Sequence, residues 1–189
     1  SVAPWFLFFV AIEHLGKTEL AISNITRSVS AIFFVIANSF AVTTGSLVSN
    51  AIGARARNEL FPICHKVLKL GYAVGIPFVV VALLCNRWIV SFYTDNELLI
   101  ELAFAPFVVM LLNYTFALPG YVYLNAVGGT GKNKITFLFQ VTTTCVYLVY
   151  LYWLSFCIEA SLALYLTAEY LFVILLALQS IIHLKSKHY

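Results

Sequence analysis

The most constraining feature of this sequence is a long stretch without a charged side chain, between Arg27 and Arg55. Its apolar part is long enough to cross a bilayer, for which about 20 residues suffice. Small and polar residues are spread through it: Asn38, Ser39, Thr43, Thr44, Gly45, Ser46, Ser49 and Asn50. It ends in a basic turn at residues 53–57. This pattern is typical of a membrane helix that packs against other helices and stops at a cytoplasmic surface.

The composition of the whole chain points the same way. Hydrophobic residues make up 62% of it, charged residues only 10%, and the mean hydropathy is +0.94. Soluble domains carry about 25% charged residues, so too few charges are present here to cover a surface in water. We therefore expect a membrane protein whose partner is the lipid bilayer. The net charge of +3 does not indicate nucleic acid, because Lys and Arg in a membrane protein report orientation first.

The apolar runs predict an all-α bundle of six transmembrane helices in a single unit, residues 1–189. The predicted helices are 2–15, 22–54, 63–92, 98–127, 135–156 and 158–184, with a short loop at 17–19. The first run is too short to span a bilayer and is read as the second half of a helix. Met110 is the only methionine, so Ser1 is not a translation start, and we expect a fragment of a longer protein.

Glycines and prolines within these helices predict packing and bends. The spacing of Gly71 and Gly75 is typical of a close helix–helix contact. Pro77 predicts a kink in the third helix. Pro106 and Pro119-Gly120 are expected to interrupt the fourth helix, which a bundle tolerates where neighbours satisfy the freed backbone groups.

The positive charges are placed asymmetrically. Eight of the eleven Lys and Arg residues fall in two loops, the adjoining helix starts and the tail: Arg55, Arg57, Lys66, Lys69, Lys132, Lys134, Lys185 and Lys187. The opposite side has Lys17, Arg27 and Arg87 and most of the acids: Glu13, Glu19, Asp95, Glu97, Glu101 and Glu159. The positive-inside rule then predicts that both chain ends are cytoplasmic, in a multi-pass protein of the plasma (inner) membrane.

Polar groups at membrane depth are the default functional candidates. Glu169 lies about eleven residues into the sixth predicted helix, roughly 16 Å along it and near mid-bilayer. It is either a carboxylate that takes up a proton or cation, or a carboxyl that is kept neutral by a neighbouring helix or lies at a bent, tilted helix end. Glu13, beside His14, is either part of a proton relay or a solvated helix end.

Uncharged residues supply a second set of candidates. Each is either a helix–helix contact or part of one polar cavity that binds substrate. The members of this set are Asn38, Thr44, Asn113, Tyr114, Pro119, Asn125 and Gln140.

Motifs for other chemistry are weak. The four cysteines have no CxxC spacing, so we expect small packing residues and no metal site. The glycine-rich residues 128–132 lack the GxxxxGK[ST] spacing of a phosphate loop and follow a membrane helix. An intramembrane enzyme would need paired catalytic groups, and no such set stands out.

Three stretches in order resemble the multidrug and toxic compound extrusion (MATE) transporters, a family of the flippase-related exporter superfamily. They are Gly16-x-x-x-Leu20-Ala21 with Ile25, the run AVTTGSLVSNAIGA at 41–54, and NAVGGTG at 125–131. The resemblance covers nearly the whole chain and matches the second half of such a transporter, helices seven to twelve.

The resemblance implies a twelve-helix antiporter made of two six-helix lobes, of which the N-terminal lobe would be the missing partner. Such transporters export organic, often cationic, compounds in exchange for protons or sodium, with no other cofactor. Some members carry ion-binding carboxylates on helices seven and ten. Here the helix-ten position falls near Ala117 and the helix-seven position at or before Ser1. Coupling would then rest on the first lobe or on Glu169.

Two rival functions stay open from the sequence. A lipid-linked sugar flippase of the same superfamily should have a cationic cluster in its cavity, and we expect no Lys or Arg at mid-membrane depth. A non-transporting, truncated remnant is the other rival. An in-frame, similar six-helix half upstream would favour the transporter over the remnant.

Overall fold

A computed structural model describes residues 3–157 and 161–186, and the regular structure within them is helical. The helices are α1 (Ala3–Ile12), α2 (Lys17–Gly53), α3 (Leu60–Leu84), α4 (Asn86–Ser91), α5 (Glu97–Leu102), α6 (Phe104–Leu112), α7 (Tyr114–Gly129), α8 (Asn133–Cys157) and α9 (Leu162–Ser186). Single 3₁₀ turns, Glu13–Leu15 and Arg57–Glu59, precede α2 and α3.

Five helical segments of the described chain are long and apolar enough to cross a membrane. They are Lys17–Gly53, Arg57–Leu84, Glu97–Gly129, Asn133–Phe156 and Leu162–Ser186. Helix α1, at ten residues, is shorter than a bilayer requires. The predicted all-α bundle with a shortened first helix is confirmed. Lys187 and Glu159 lie outside the described residues.

The predicted loop at residues 17–19 is wrong. Helix α2 already begins at Lys17, and the chain turns at Gly16, whose φ of 125° is accessible to glycine without strain. The amide of Leu20 donates to the Gly16 carbonyl at 3.2 Å, which closes the first helical turn. Polar residues at 17–19 therefore begin a helix, because one glycine suffices to reverse the chain.

The predicted third helix, 63–92, is also wrong at both ends. Helix α3 begins at Leu60 and ends at Leu84, and Cys85 separates it from the short helix α4. Pro77 lies inside α3, and the helix continues through it.

The fourth predicted helix is divided into α5, α6 and α7, but not at its prolines. The breaks fall at Ala103 and Asn113. Pro106 lies in the first turn of α6, where backbone amides have no intrahelical partner to lose. Pro119 lies inside α7, which is not interrupted there.

A tyrosine explains why α7 continues through its proline. Pro119 has no amide hydrogen for the carbonyl four residues earlier, that of Thr115. The Tyr72 hydroxyl on α3 donates to this carbonyl at 2.7 Å. A neighbouring helix thus satisfies the group that the proline frees.

Helix α7 is the centre of the bundle, with its most extensive contacts on α2 and α9. On the α3 side the predicted glycine contact is confirmed. A Cβ on Gly71 would lie 2.7 Å from the Leu118 side chain, and one on Gly75 would overlap the Tyr114 ring. The Tyr114 hydroxyl also donates to the Gly71 carbonyl at 2.8 Å. Close packing of α3 on α7 therefore depends on both glycines.

The two ends of the bundle differ in charge, as predicted from the placement of Lys and Arg in alternate loops. We call the end that carries Arg55, Arg57, Lys132 and Lys134 the basic end. There α2 approaches α7 closely, because Gly129 lies against the backbone of Gly45. The opposite, acidic end holds the start of α2, the start of α5 and the start of α9.

Candidate functional site

A cavity of about 250 Å³ lies between α2, the α6–α7 junction and α9, toward the acidic end. Three regions that are distant in sequence therefore form its walls. The lining residues are Arg27, Ser30, Ala31, Phe33, Phe34, Ala37, Met110, Asn113, Tyr114, Ala117, Tyr121 and Glu169.

Aromatic rings form much of the wall between α2 and α7. The rings of Phe33 and Tyr114 meet edge-on with centroids 6.2 Å apart, and those of Phe34 and Tyr121 meet at 5.5 Å. Edge-on pairs are a favourable arrangement that fixes ring orientation. The cavity thus presents ring faces and edges suited to a flat or bulky organic molecule.

Glu169 is the carboxyl group of this cavity. It is only 7% exposed, and the Tyr147 hydroxyl on α8 donates to its Oε1 at 3.0 Å. Tyr147 is itself fully buried, with its ring edge-on to Phe172 at 5.9 Å. Two helices thereby hold the carboxyl in one orientation.

The predicted depth of Glu169 needs correction. Helix α9 begins at Leu162, so Glu169 is its eighth residue and lies about 10 Å from the helix start. The predicted depth of eleven residues into the helix, near mid-bilayer, is wrong because the predicted helix started at residue 158, four residues before α9 begins. The carboxyl lies in the half of the span nearer the acidic end.

Close packing of α7 on α9 determines where Glu169 points. A Cβ on Gly120 would lie only 2.7 Å from the Val173 carbonyl oxygen, so the two backbones are in near contact. The Tyr170 hydroxyl, one residue after Glu169, donates to the Val109 carbonyl of α6. These contacts flank Glu169 and fix its helix against the α6–α7 junction.

Arg27 is the charged cavity residue that was not among the candidates from the sequence. It is the eleventh residue of α2, about 15 Å from the helix start. Its guanidinium lies 4.8 Å from the centroid of the Phe9 ring of α1, and Arg27 lines the same cavity as Glu169. The sequence predicted no Lys or Arg at mid-membrane depth and did not single out Arg27, which lines the cavity as a single cation and not as part of a cluster.

Helical spacing was the signal that would have found Arg27. Residues 27, 30, 31 and 34 recur at the intervals that place side chains on one face of a helix. All four line the cavity. The predicted helix began at residue 22, which left Arg27 near a loop on the outer side.

Two of the uncharged candidates, Asn113 and Tyr114, line the cavity with Glu169. Asn113 is 8% exposed, lies at the break between α6 and α7, and has no described partner for its Oδ1. Ala117, the position at which the resemblance implies an acid in some members, lines the same cavity. The carboxyl near this position therefore comes from α9.

The remaining candidates do not line this cavity. Asn125 lines a second, more polar groove at the basic end, and its Nδ2 donates to the Tyr121 carbonyl at 2.9 Å. Thr44 is buried and donates to the Phe40 carbonyl of its own helix at 2.9 Å. Asn38 and Glu13 are exposed, and Pro119 and Gln140 are half-buried on α7 and α8. The structure does not bring these candidates together with Glu169.

The described part of the chain contains no cluster of side chains suited to metal binding or thiol chemistry. No group of three or more His, Cys, Asp or Glu residues there is placed to hold a metal ion. Cys64, Cys85 and Cys145 are free. The charged and aromatic cavity is thus the best-built candidate site of the residues that the structure describes.

Comparisons with known proteins agree on one family. The sequence profile of the MatE family matches residues 5–154. A solved structure described as MATE in the bent conformation superposes with a TM-score of 0.84 at 18% sequence identity. The match covers 96% of this chain but only 41% of that one. No curated protein matches the chain in sequence. The chain is a multi-pass membrane protein that belongs to the MATE family of transporters.

Proposed function

We propose that this chain forms one lobe of an efflux transporter that exports small organic compounds, in many cases cationic, by antiport with protons or sodium. The other lobe would be an N-terminal six-helix bundle, in keeping with the 41% of the similar MATE structure that this chain spans. The observation that carries the proposal is Glu169, a buried carboxyl in an aromatic cavity of a membrane bundle.

A carboxyl at this place suits an exchange of cations. It can hold a proton or lie beside an organic cation, but a proton removes the charge that attracts the cation. Proton binding and cation binding are then mutually exclusive, which is the requirement of an antiporter. The aromatic pairs of Phe33 with Tyr114 and Phe34 with Tyr121 supply the apolar and cation–π contacts that an organic cation needs.

The break at Asn113 supports alternating access. It lies beside the cavity and interrupts the regular helix by one residue, which marks a place at which this span can bend. Rocking of this lobe against its partner would open the cavity to either side in turn.

The charge asymmetry of the bundle supports one orientation. Arg55, Arg57, Lys132 and Lys134 lie at the basic end, which we assign to the cytoplasm by the positive-inside rule. The cavity then lies toward the outer half of the plasma (inner) membrane, where exported substrate would be released.

The test is efflux by the intact protein in cells or vesicles, with proton and sodium gradients varied separately. Glu169→Gln should reduce proton-driven efflux at least tenfold at equal expression, because the amide keeps the shape but cannot exchange a proton. The matched control is Glu101→Gln, an exposed acid on α5 outside the cavity, which should behave as wild type.

Two results would count against the proposal. Wild-type efflux in the Glu169→Gln protein would remove Glu169 from coupling. Loss of sodium-driven efflux alone, with proton-driven efflux intact, would contradict proton exchange at Glu169 and show that this carboxyl serves sodium coupling.

A further inference from the structure

Arg27 and Glu169 are the two formally charged residues among those that line the cavity. A carboxylate at membrane depth is costly unless a positive group lies nearby. Arg27 supplies that charge from α2, on the wall opposite α9. The protein thus carries its own cation in the site where the proposed function places a cationic substrate.

Arg27 has a second favourable position. Its guanidinium carbon lies 4.8 Å from the centroid of the Phe9 ring, within the range of a cation–π contact. An arginine side chain is long and flexible, and its planar head stays charged at any physiological pH. It can therefore retain the Phe9 contact when another cation takes its place beside Glu169.

We propose that Arg27 is a tethered cation that neutralises Glu169 whenever neither a proton nor a cationic substrate does so. This inference rests on the proposed function and adds to it the residue that sets the preference for substrate charge. A cationic substrate must displace Arg27 from Glu169. When Glu169 takes up a proton, its negative charge is lost and Arg27 remains charged. The cavity then has a net positive charge, which repels a cationic substrate and favours its release.

The competition is measurable with two probes of matched shape and opposite charge, tetraphenylphosphonium and tetraphenylborate. Equilibrium dialysis of the purified intact protein in detergent, against protein-free micelles, gives the affinity for each. Arg27→Gln should bind tetraphenylphosphonium about tenfold more tightly than wild type, because the competing charge is gone. Arg27→Lys, which keeps a cation, should stay within about threefold of wild type.

A matched control separates this effect from a general change of charge. Lys17→Gln removes one positive charge from the first turn of the same helix, outside the cavity, and should leave both affinities unchanged. An Arg27→Gln protein that folds and binds tetraphenylphosphonium no more tightly than wild type overturns the proposal.

A second variant decides the matter even when Arg27→Gln does not fold. In Glu169→Gln the native Arg27 has lost its carboxylate partner, so the affinity for tetraphenylborate should rise about tenfold. An unchanged affinity for tetraphenylborate overturns the proposal. Failure of the proposed function gives a different result, namely normal proton-driven efflux by Glu169→Gln, whatever the two affinities are.

Discussion

The near contact of α7 with α9 at Gly120 gives the sharpest prediction about the stability of this lobe. The Cβ of an alanine at Gly120 would lie 2.7 Å from the Val173 carbonyl oxygen, whereas ordinary contact begins at 3.4 Å. The next nearest atoms are also on Val173, its Cβ at 3.3 Å and its carbonyl carbon at 3.4 Å. Because a backbone oxygen cannot rotate away as a side chain does, the helices must separate by several tenths of an ångström.

The size of the effect follows from two opposing terms. Overpacking of a close contact costs typically about 1–3 kcal/mol, and a rigid backbone neighbour places Gly120→Ala in the upper part of that range. Replacing a helical glycine by alanine returns up to about 1 kcal/mol of helix propensity. We therefore expect Gly120→Ala to destabilise the protein by about 1–2 kcal/mol. It should also reduce transport, since α9 carries Glu169.

The assay is thermal unfolding of the intact protein in detergent, followed with a thiol-reactive dye that reports the exposure of buried Cys64. Gly53→Ala is the matched control, because Gly53 ends α2 and a Cβ there meets no atom within 4 Å. A Gly120→Ala protein as stable as the Gly53→Ala protein would refute the packing argument.

Three further outcomes are expected. Tyr72→Phe leaves the Thr115 carbonyl without its donor and should cost about 0.6 kcal/mol, and at most about 1.7 kcal/mol, in a thermal unfolding assay, the average and the maximum for hydrogen bonds between membrane helices. Pro119→Ala returns an amide donor to that carbonyl, so the cost of Tyr72→Phe should shrink by at least half in the Pro119→Ala background; equal costs in both backgrounds would contradict this account. Tyr147→Phe removes the donor to Glu169 and should slow efflux severalfold at normal expression, and wild-type rates would show that the bond has no part in transport.

Local features of the sequence predicted the bundle well. Helix length and hydrophobicity depend on residues that are adjacent in the sequence. The membrane spans, and which loops lie at the basic or the acidic end, could therefore be predicted along the chain. The spacing of Gly71 and Gly75 predicted a close contact correctly for the same reason. The predicted interruption at Pro119 was wrong, because the effect of this proline on α7 depends on Tyr72. This tyrosine lies on α3, 43 residues before Thr115, whose carbonyl accepts its hydrogen bond.

The candidate site was predicted only in part. Asn113, Tyr114 and Glu169 stood out as polar groups at membrane depth, and the structure places all three in one cavity. Asn38, Thr44 and Gln140 stood out by the same criterion but lie elsewhere. Polarity and depth say that a side chain needs a partner, but they do not say which helix face it occupies. That face is set by the contacts between helices.

The position of Glu169 shows how these contacts determine chemistry. Ala117 on α7 and Glu169 on α9 line the same cavity, and the contact of Gly120 with Val173 holds the two helices together one turn further along. A side chain from either helix therefore reaches the same volume. An acid need not stand on α7 for the cavity to contain a carboxyl, so the absence of an acid at Ala117 does not argue against the ion coupling that we propose for Glu169. The sequence motif indicates the helix that borders the site, whereas the packing of α7 on α9 determines which residue supplies the charge.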